Sequence, residues 1–144
     1  RLDPLELARG DAPIEAARAF LAEHLGTGPA LVYATDAPQA VAVAQAALGR
    51  ERAGDLVERA MAQLATAAVA AGVRRLVVAG GETSGAVVQA LGIQGLRIGR
   101  LIAPGVPATV ALADPPLALA LKSGNFGGPE FFREALAAMP GRRA

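Results

Sequence analysis

The row Leu76-Val77-Val78-Ala79, followed at once by Gly80-Gly81, constrains the fold more than any other part of the chain. Four apolar residues without a break, bounded by Arg74-Arg75 and by glycine, read as a short strand buried on both faces. Such a strand belongs in the centre of a sheet that helices cover, and the flanks supply them. Arg52 to Ala71 carries Leu56, Ala60, Met61, Leu64, Ala68 and Val69 as a wide apolar stripe, and Gly72 stops it. After the glycines, Val87, Val88 and Leu91 share one face of a helix that Gly92 ends. The expected fold is α/β, a three-layer α/β/α sandwich.

Asp11-Ala12-Pro13 starts an earlier helix, with Ile14, Ala17, Leu21 and Leu25 on one face and Gly26 behind them. This first segment looks peripheral. His24, at the flank of its stripe, reads as a boundary histidine packed on a neighbour, since no Ser or Cys partner stands nearby in sequence. Ala30-Leu31-Val32-Tyr33-Ala34, between Gly28-Pro29 and Thr35-Asp36, reads as a buried strand. Pro38 opens a helix with Val41, Ala44 and Leu48 inside, closed by Gly49. Three strands are expected after Leu96: Leu96 to Ile102, Thr109 to Ala113 and Leu117 to Lys122. The Pro104-Gly105-Val106-Pro107 and Asp114-Pro115-Pro116 links between them are too short for a crossover helix, so some pairings are antiparallel. The sheet is therefore expected to be mixed, though mainly parallel. A last helix runs from Pro129 to Met139 with Phe131, Phe132 and Leu136, and Gly141-Arg142-Arg143 is expected to fray.

Composition narrows the function. A chain of 144 residues fits one domain, and 53% apolar against 19% charged residues excludes a disordered polyelectrolyte. Without cysteine there is no disulfide scaffold, thiolate metal site or cysteine nucleophile. A formal charge of +1 with 3% aromatic residues argues against a nucleic-acid partner. No apolar run reaches the roughly 18 residues of a membrane span, and the charged opening Arg1 to Asp11 is no signal peptide, so neither membrane nor export is expected. A cytoplasmic location follows as an expectation. The missing initiator Met suggests a chain cut from something larger.

Chemistry concentrates in two glycine-rich stretches. Gly80-Gly81-Glu82-Thr83-Ser84-Gly85 leaves the best strand and opens a helix, the geometry that presents backbone N–H groups at the positive end of a helix dipole. Thr83 and Ser84 add hydroxyl donors, and Glu82 could hold a metal ion, meet a ribose hydroxyl or cap the helix. Ala86 and Val87 stand where a P-loop has Lys and Ser or Thr, so this is not a Walker motif, and its glycines do not spell GxGxxG. The plain alternative is a tight strand-to-helix turn with Thr83 or Ser84 as N-cap. Lys122-Ser123-Gly124-Asn125-Phe126-Gly127-Gly128 follows a strand in the same way and holds the chain's only lysine, a compact ammonium suited to a phosphate oxygen. Its alternative is a solvated lysine on an ordinary turn, with Phe126 either stacking on a base or anchoring the turn. Ligands of open α/β sheets lie outside such strand ends. Thr35-Asp36 could add a third wall, Pro104 to Pro107 would only shape the site, and Arg74-Arg75 belongs to the opposite edge, in solvent.

Three motifs carry a resemblance. Gly80 to Val87 (GGETSGAV), Ile102 to Pro107 (IAPGVP) and Leu119 to Phe132 (LALKSGNFGGPEFF) resemble, in order and spacing, the nucleotide-binding C-terminal domain of the four-carbon acid sugar kinases. The resemblance implies an ATP-dependent kinase acting, with Mg²⁺, on the terminal hydroxyl of a sugar acid such as 3-oxo-tetronate, threonate or erythronate. It makes residues 1 to 144 a single nucleotide-binding domain, with the sugar acid bound by an N-terminal domain absent here. It places Gly80, Gly81, Glu82, Thr83, Ser84 and Gly85 on ATP phosphates, with Gly124, Asn125, Phe126 and Gly127 completing the nucleotide site. Lys122 would stabilise charge, Glu82 would approach a metal, and the catalytic base would lie in the absent domain. Two departures stand out: the family's opening Gly-Ser-Cys-Ser strand-end motif is missing, and so is the whole sugar-acid domain; Glu82 also stands where many members have Asp. A homo-oligomer is left open. The rival from another class is a non-catalytic ligand-binding or oligomerisation module, and the broken glycine spacing disfavours a dinucleotide oxidoreductase fragment.

Overall fold

The computed structural model describes residues 1–140, so the expected fraying of Gly141-Arg142-Arg143 lies outside the described residues. Its packing divides the chain into two compact units, with the boundary between Ala71 and Gly72. No Pro/Ser-rich or charged stretch marks that boundary in the sequence.

The first unit is helical: α1 (Pro4–Leu7), α2 (Ala12–His24), α3 (Pro38–Leu48) and α4 (Arg50–Ala70). Proline in the first turn of α1, α2 and α3 fixes φ where an N–H has no partner to lose. The other three helices pack on α4, whose buried Ala60, Ala62, Leu64, Ala65 and Ala68 form its inner face. Leu2 is only 2% exposed and Leu7 is buried, while Asp3 caps α1 by accepting the Leu5 N–H at 2.8 Å. Four residues are too few to show a helical period, so only the Asp-Pro start could have signalled α1. The expected strand Ala30 to Ala34 does not form. Leu31 is 59% and Tyr33 44% exposed, and one bond, Leu2 N–H to the Tyr33 carbonyl at 2.8 Å, ties the segment down. This unit holds no strand to complete a ladder, and an apolar row without one gains nothing from extension.

The second unit contains β1 (Arg75–Ala79), α5 (Gly81–Ala90), β2 (Leu96–Ala103), β3 (Val106–Ala111), β4 (Ala118–Lys122) and α6 (Phe131–Ala138). Its sheet has the order β1-β4-β3-β2. The sheet is mixed as expected, but it is not mainly parallel. Only β1 and β4 run parallel; β2 with β3 and β3 with β4 are antiparallel. The cause is the short links after β2 and β3, together with the loss of the strand expected at Ala30. β3 starts earlier than expected and takes in Pro107, which lies opposite Leu101 where the β2 register is irregular. A missing N–H is tolerated at such a place.

α6 presents Phe131, Ala135 and Met139 to the sheet face that carries Val106, Ala108, Ala118 and Ala120. The alternate residues Val78, Thr109 and Leu119 are buried on the other face, and α5 lies against β1 and β4. Both faces are covered, as three layers require. Thr109 donates its hydroxyl to the Leu119 carbonyl at 3.0 Å, so burial leaves it satisfied. Arg75, exposed as expected, also donates to the Leu136 carbonyl at 3.1 Å, and Arg100 donates to that of Ala138 at 3.3 Å. Two guanidinium groups thus serve the negative end of α6.

Candidate functional site

The in-register partners Ala79 and Lys122 end β1 and β4 side by side, and the Gly80 N–H donates to the Lys122 carbonyl at 2.8 Å. The chain therefore leaves two parallel strands at one edge, once into α5 and once into the turn Ser123 to Gly128. β3 runs antiparallel to β4 with Ala108 opposite Ala120, which carries the β2–β3 hairpin tip, Pro104-Gly105, to that same edge. A Cβ on Gly105 would stand 3.1 Å from Cε1 of Phe126, so tip and turn touch. One rim of the second unit gathers all three motifs.

α5 begins at Gly81, so Glu82, Thr83, Ser84 and Gly85 are helical and the loop shrinks to Gly80. Gly80 is the N-cap, with φ 120° and no side-chain capping bond, so neither Thr83 nor Ser84 caps the helix. A Cβ on Gly80 would lie 3.0 Å from Thr83 Oγ1 in a backbone region that L side chains avoid, which demands glycine. The Ser84 N–H already donates to the Gly80 carbonyl at 2.9 Å. The donors left without a helical partner are the N–H groups of Gly81, Glu82 and Thr83 rather than the full run to Gly85. Ser84 Oγ is buried and has no hydrogen-bond partner. Glu82 is exposed. Among the described residues no group of three His, Asp or Glu side chains could hold a metal ion, so Glu82 is a lone carboxylate.

The second turn is anchored in the core. Gly127 has φ 82° and packs so closely on the Phe131 side chain, itself 2% exposed, that a Cβ there would clash with Cγ and Cβ of the phenylalanine. The Phe126 N–H donates to the Ser123 carbonyl at 3.3 Å, and its ring is 45% exposed beside Gly105. Gly124 and Asn125 are exposed at the rim. The Lys122 ammonium donates to the Gly124 carbonyl at 2.9 Å and stands 5.6 Å from the centre of the Phe131 ring. Sequence reasoning had no signal for that contact, nor for the orphaned Ser84 hydroxyl.

The remaining candidates lie in the first unit and have local roles. His24 stacks on Phe20 with ring centres 4.3 Å apart, its Nδ1 2.8 Å from the Phe20 carbonyl. Asp36 pairs with Arg1 and accepts the Ala37 N–H at 2.8 Å.

Comparison with known proteins adds the lineage. The family model for a nucleotide-binding C-terminal domain matches residues 1–132. A 3-oxo-tetronate kinase of Cupriavidus necator is 63% identical over 98% of this chain and 32% of its own length. One from Pseudomonas fluorescens is 56% identical over 100% of this chain and 33% of its own. The chain thus spans about a third of the length of the curated relatives it matches. A crystal structure of a Haemophilus influenzae protein of the DUF1537 family superposes with a TM-score of 0.87 at 39% identity, over 94% of this chain and 33% of that one. The chain belongs to the nucleotide-binding C-terminal domain family, the domain implied by its resemblance to the four-carbon acid sugar kinases.

Proposed function

We propose that this chain is the ATP-binding part of a kinase that phosphorylates the terminal hydroxyl of a four-carbon sugar acid, 3-oxo-tetronate being the substrate class named in its relatives. The observation that carries the proposal is the register of Ala79 with Lys122, which sets three uncapped helix N–H groups beside a glycine-rich turn. The chain fits a polyphosphate there. Gly80 cannot carry a Cβ, nothing crowds a Cβ on Gly81 or Gly124, and Ser84 Oγ is an unused donor.

Bound Mg²⁺-ATP would supply the γ-phosphoryl group, whose bridging P–O bond to ADP breaks as a bond to the acid's hydroxyl oxygen forms. The N–H groups of Gly81, Glu82 and Thr83 hold phosphate oxygens along the axis of α5, where the dipole favours negative charge. The glycine at position 124 lets the opposite turn approach without side-chain bulk, and Asn125 offers an amide donor. Glu82, exposed at the same helix start, can take one coordination position of the Mg²⁺ that arrives with ATP. Positioning and charge neutralisation are most of what phosphoryl transfer asks of a protein. The sugar acid and the base that takes its hydroxyl proton are assigned to the two thirds of the relatives beyond this chain.

Calorimetry tests the binding half: the chain should bind Mg²⁺-ATP in preference to a sugar phosphate. No nucleotide binding together with a stable dimer would favour an assembly module instead. Within a full-length kinase, Ser84→Ala combined with Gly85→Val should raise the ATP KM or lower kcat, and unchanged values refute the assignment. Alone, this chain should release no ADP in response to a sugar acid.

A further inference from the structure

As the only lysine of the chain, Lys122 invites assignment to a phosphate. Its geometry directs it elsewhere. Nζ reaches two residues forward to the Gly124 carbonyl at 2.9 Å, over the ring that also receives the backbone of Gly127. Both ends of the turn are therefore referred to one buried side chain, Phe131, which belongs to the core beneath α6. Between those anchors the Phe126 N–H closes on the Ser123 carbonyl, and the Phe126 ring meets the hairpin tip at Gly105. An ammonium released to a phosphate would leave the Gly124 carbonyl and the Phe131 face together, and the turn would lose one of its two ties.

We propose that Lys122 is a positioning residue, which fixes the Ser123 to Gly127 turn through the Gly124 carbonyl and the Phe131 ring so that Gly124 to Phe126 face the start of α5. This rests on the assignment of that rim to a nucleotide. Removing the ammonium should then loosen the turn whether or not a ligand is present, and should weaken every nucleotide alike. A phosphate ligand behaves differently: its loss is graded by the number of phosphates and is screened by salt.

Two measurements on this chain separate the cases. In the ligand-free protein, Lys122→Met should speed amide hydrogen exchange at Phe126, whose N–H is bonded to the Ser123 carbonyl, by about threefold to tenfold, the factor expected for one lost hydrogen bond. The β1–β4 ladder amides should keep their protection. Lys122→Arg, which keeps a donor for the carbonyl and a cation for the ring, should restore the slow exchange, and Lys122→Ala gives the same test should the Met variant not fold. In calorimetry, Lys122→Met should reduce the affinities for ATP, ADP and AMP by one common factor that salt does not alter. Unchanged exchange at Phe126 overturns the proposal, as does a salt-sensitive loss that falls in the order ATP, ADP, AMP. If the unsubstituted chain binds no nucleotide, the nucleotide assignment fails by itself, and the exchange measurement still decides the role of Lys122.

Discussion

Gly127→Ala isolates the contact on which the second turn is built. With φ at 82°, residue 127 sits in the left-handed region, where an L side chain costs roughly 1–2 kcal/mol. The added Cβ would stand 2.7 Å from Cγ and 2.9 Å from Cβ of Phe131, and closer still to Cδ2. Carbon atoms prefer about 3.5–4.0 Å, so one partner has to move by most of an ångström. Phe131 cannot retreat, because Ala108, Ala118, Ala120 and Ala135 close around it. Overpacking of this kind costs about 1–3 kcal/mol, which brings the sum to about 2–5 kcal/mol. Urea unfolding followed by circular dichroism reads it: with m of about 1–3 kcal/mol per M, a loss near 3 kcal/mol lowers the midpoint by about 1–3 M. Gly128→Ala is the control, since its Cβ would meet nothing within 4 Å and its φ is not left-handed. The control should stay within about 0.5 kcal/mol of the parent. Equal midpoints for the two variants would refute the reasoning.

Ser84→Ala should separate stability from binding. Its hydroxyl is buried without a partner, so removing it should leave unfolding unchanged or raise stability by up to about 1 kcal/mol, while Mg²⁺-ATP binds several-fold more weakly in calorimetry. A clear loss of stability would mean that the hydroxyl is already satisfied. Gly85→Ala, with open space around its Cβ inside α5, should stabilise the helix by about 0.5–1 kcal/mol and still weaken Mg²⁺-ATP; unaltered affinity would place the ligand elsewhere. Arg75→Ala with Arg100→Ala removes donors from the Leu136 and Ala138 carbonyls. Together they should destabilise by about 1–2 kcal/mol at low salt and by less in 1 M salt, and no difference from the parent at low salt would show that α6 does not rely on them.

What was legible in the sequence followed from local rules. β1 and β4 fall within a residue of expectation because Leu76 to Ala79 and Leu117 to Leu121 are unbroken apolar rows, which need no knowledge of a partner. The same rule failed at Ala30 to Ala34, an equally apolar row that remains unpaired, since composition gives propensity but a ladder requires a neighbour. The number of parallel pairings was misjudged for the same reason. At the rim, the glycine motifs announced where the chain turns. The number of free N–H donors was not readable, because it depends on whether the helix starts at Gly81 or some residues later, and one backbone angle at Gly80 decides that. The direction of Lys122 was equally hidden, as four rotatable bonds let one ammonium serve a phosphate or its own turn.

The glycines of this rim divide into two groups by what demands them. Gly80, Gly105 and Gly127 have left-handed φ values and neighbours within 3.1 Å of a Cβ, so the fold itself excludes side chains there. Gly81, Gly85, Gly124 and Gly128 have ordinary φ values and open space, so alanine would fit the chain as it stands. Within α5 it would even be favoured, since glycine in a helix forgoes about 1 kcal/mol relative to alanine. A fold that gains nothing from four bare positions, in the first turns of α5 and in the turn after β4, leaves their lack of bulk to be explained by what approaches from outside. An anion held by main-chain N–H groups, as in the proposed function, would be such a visitor, because glycine lets it approach the main chain without side-chain bulk.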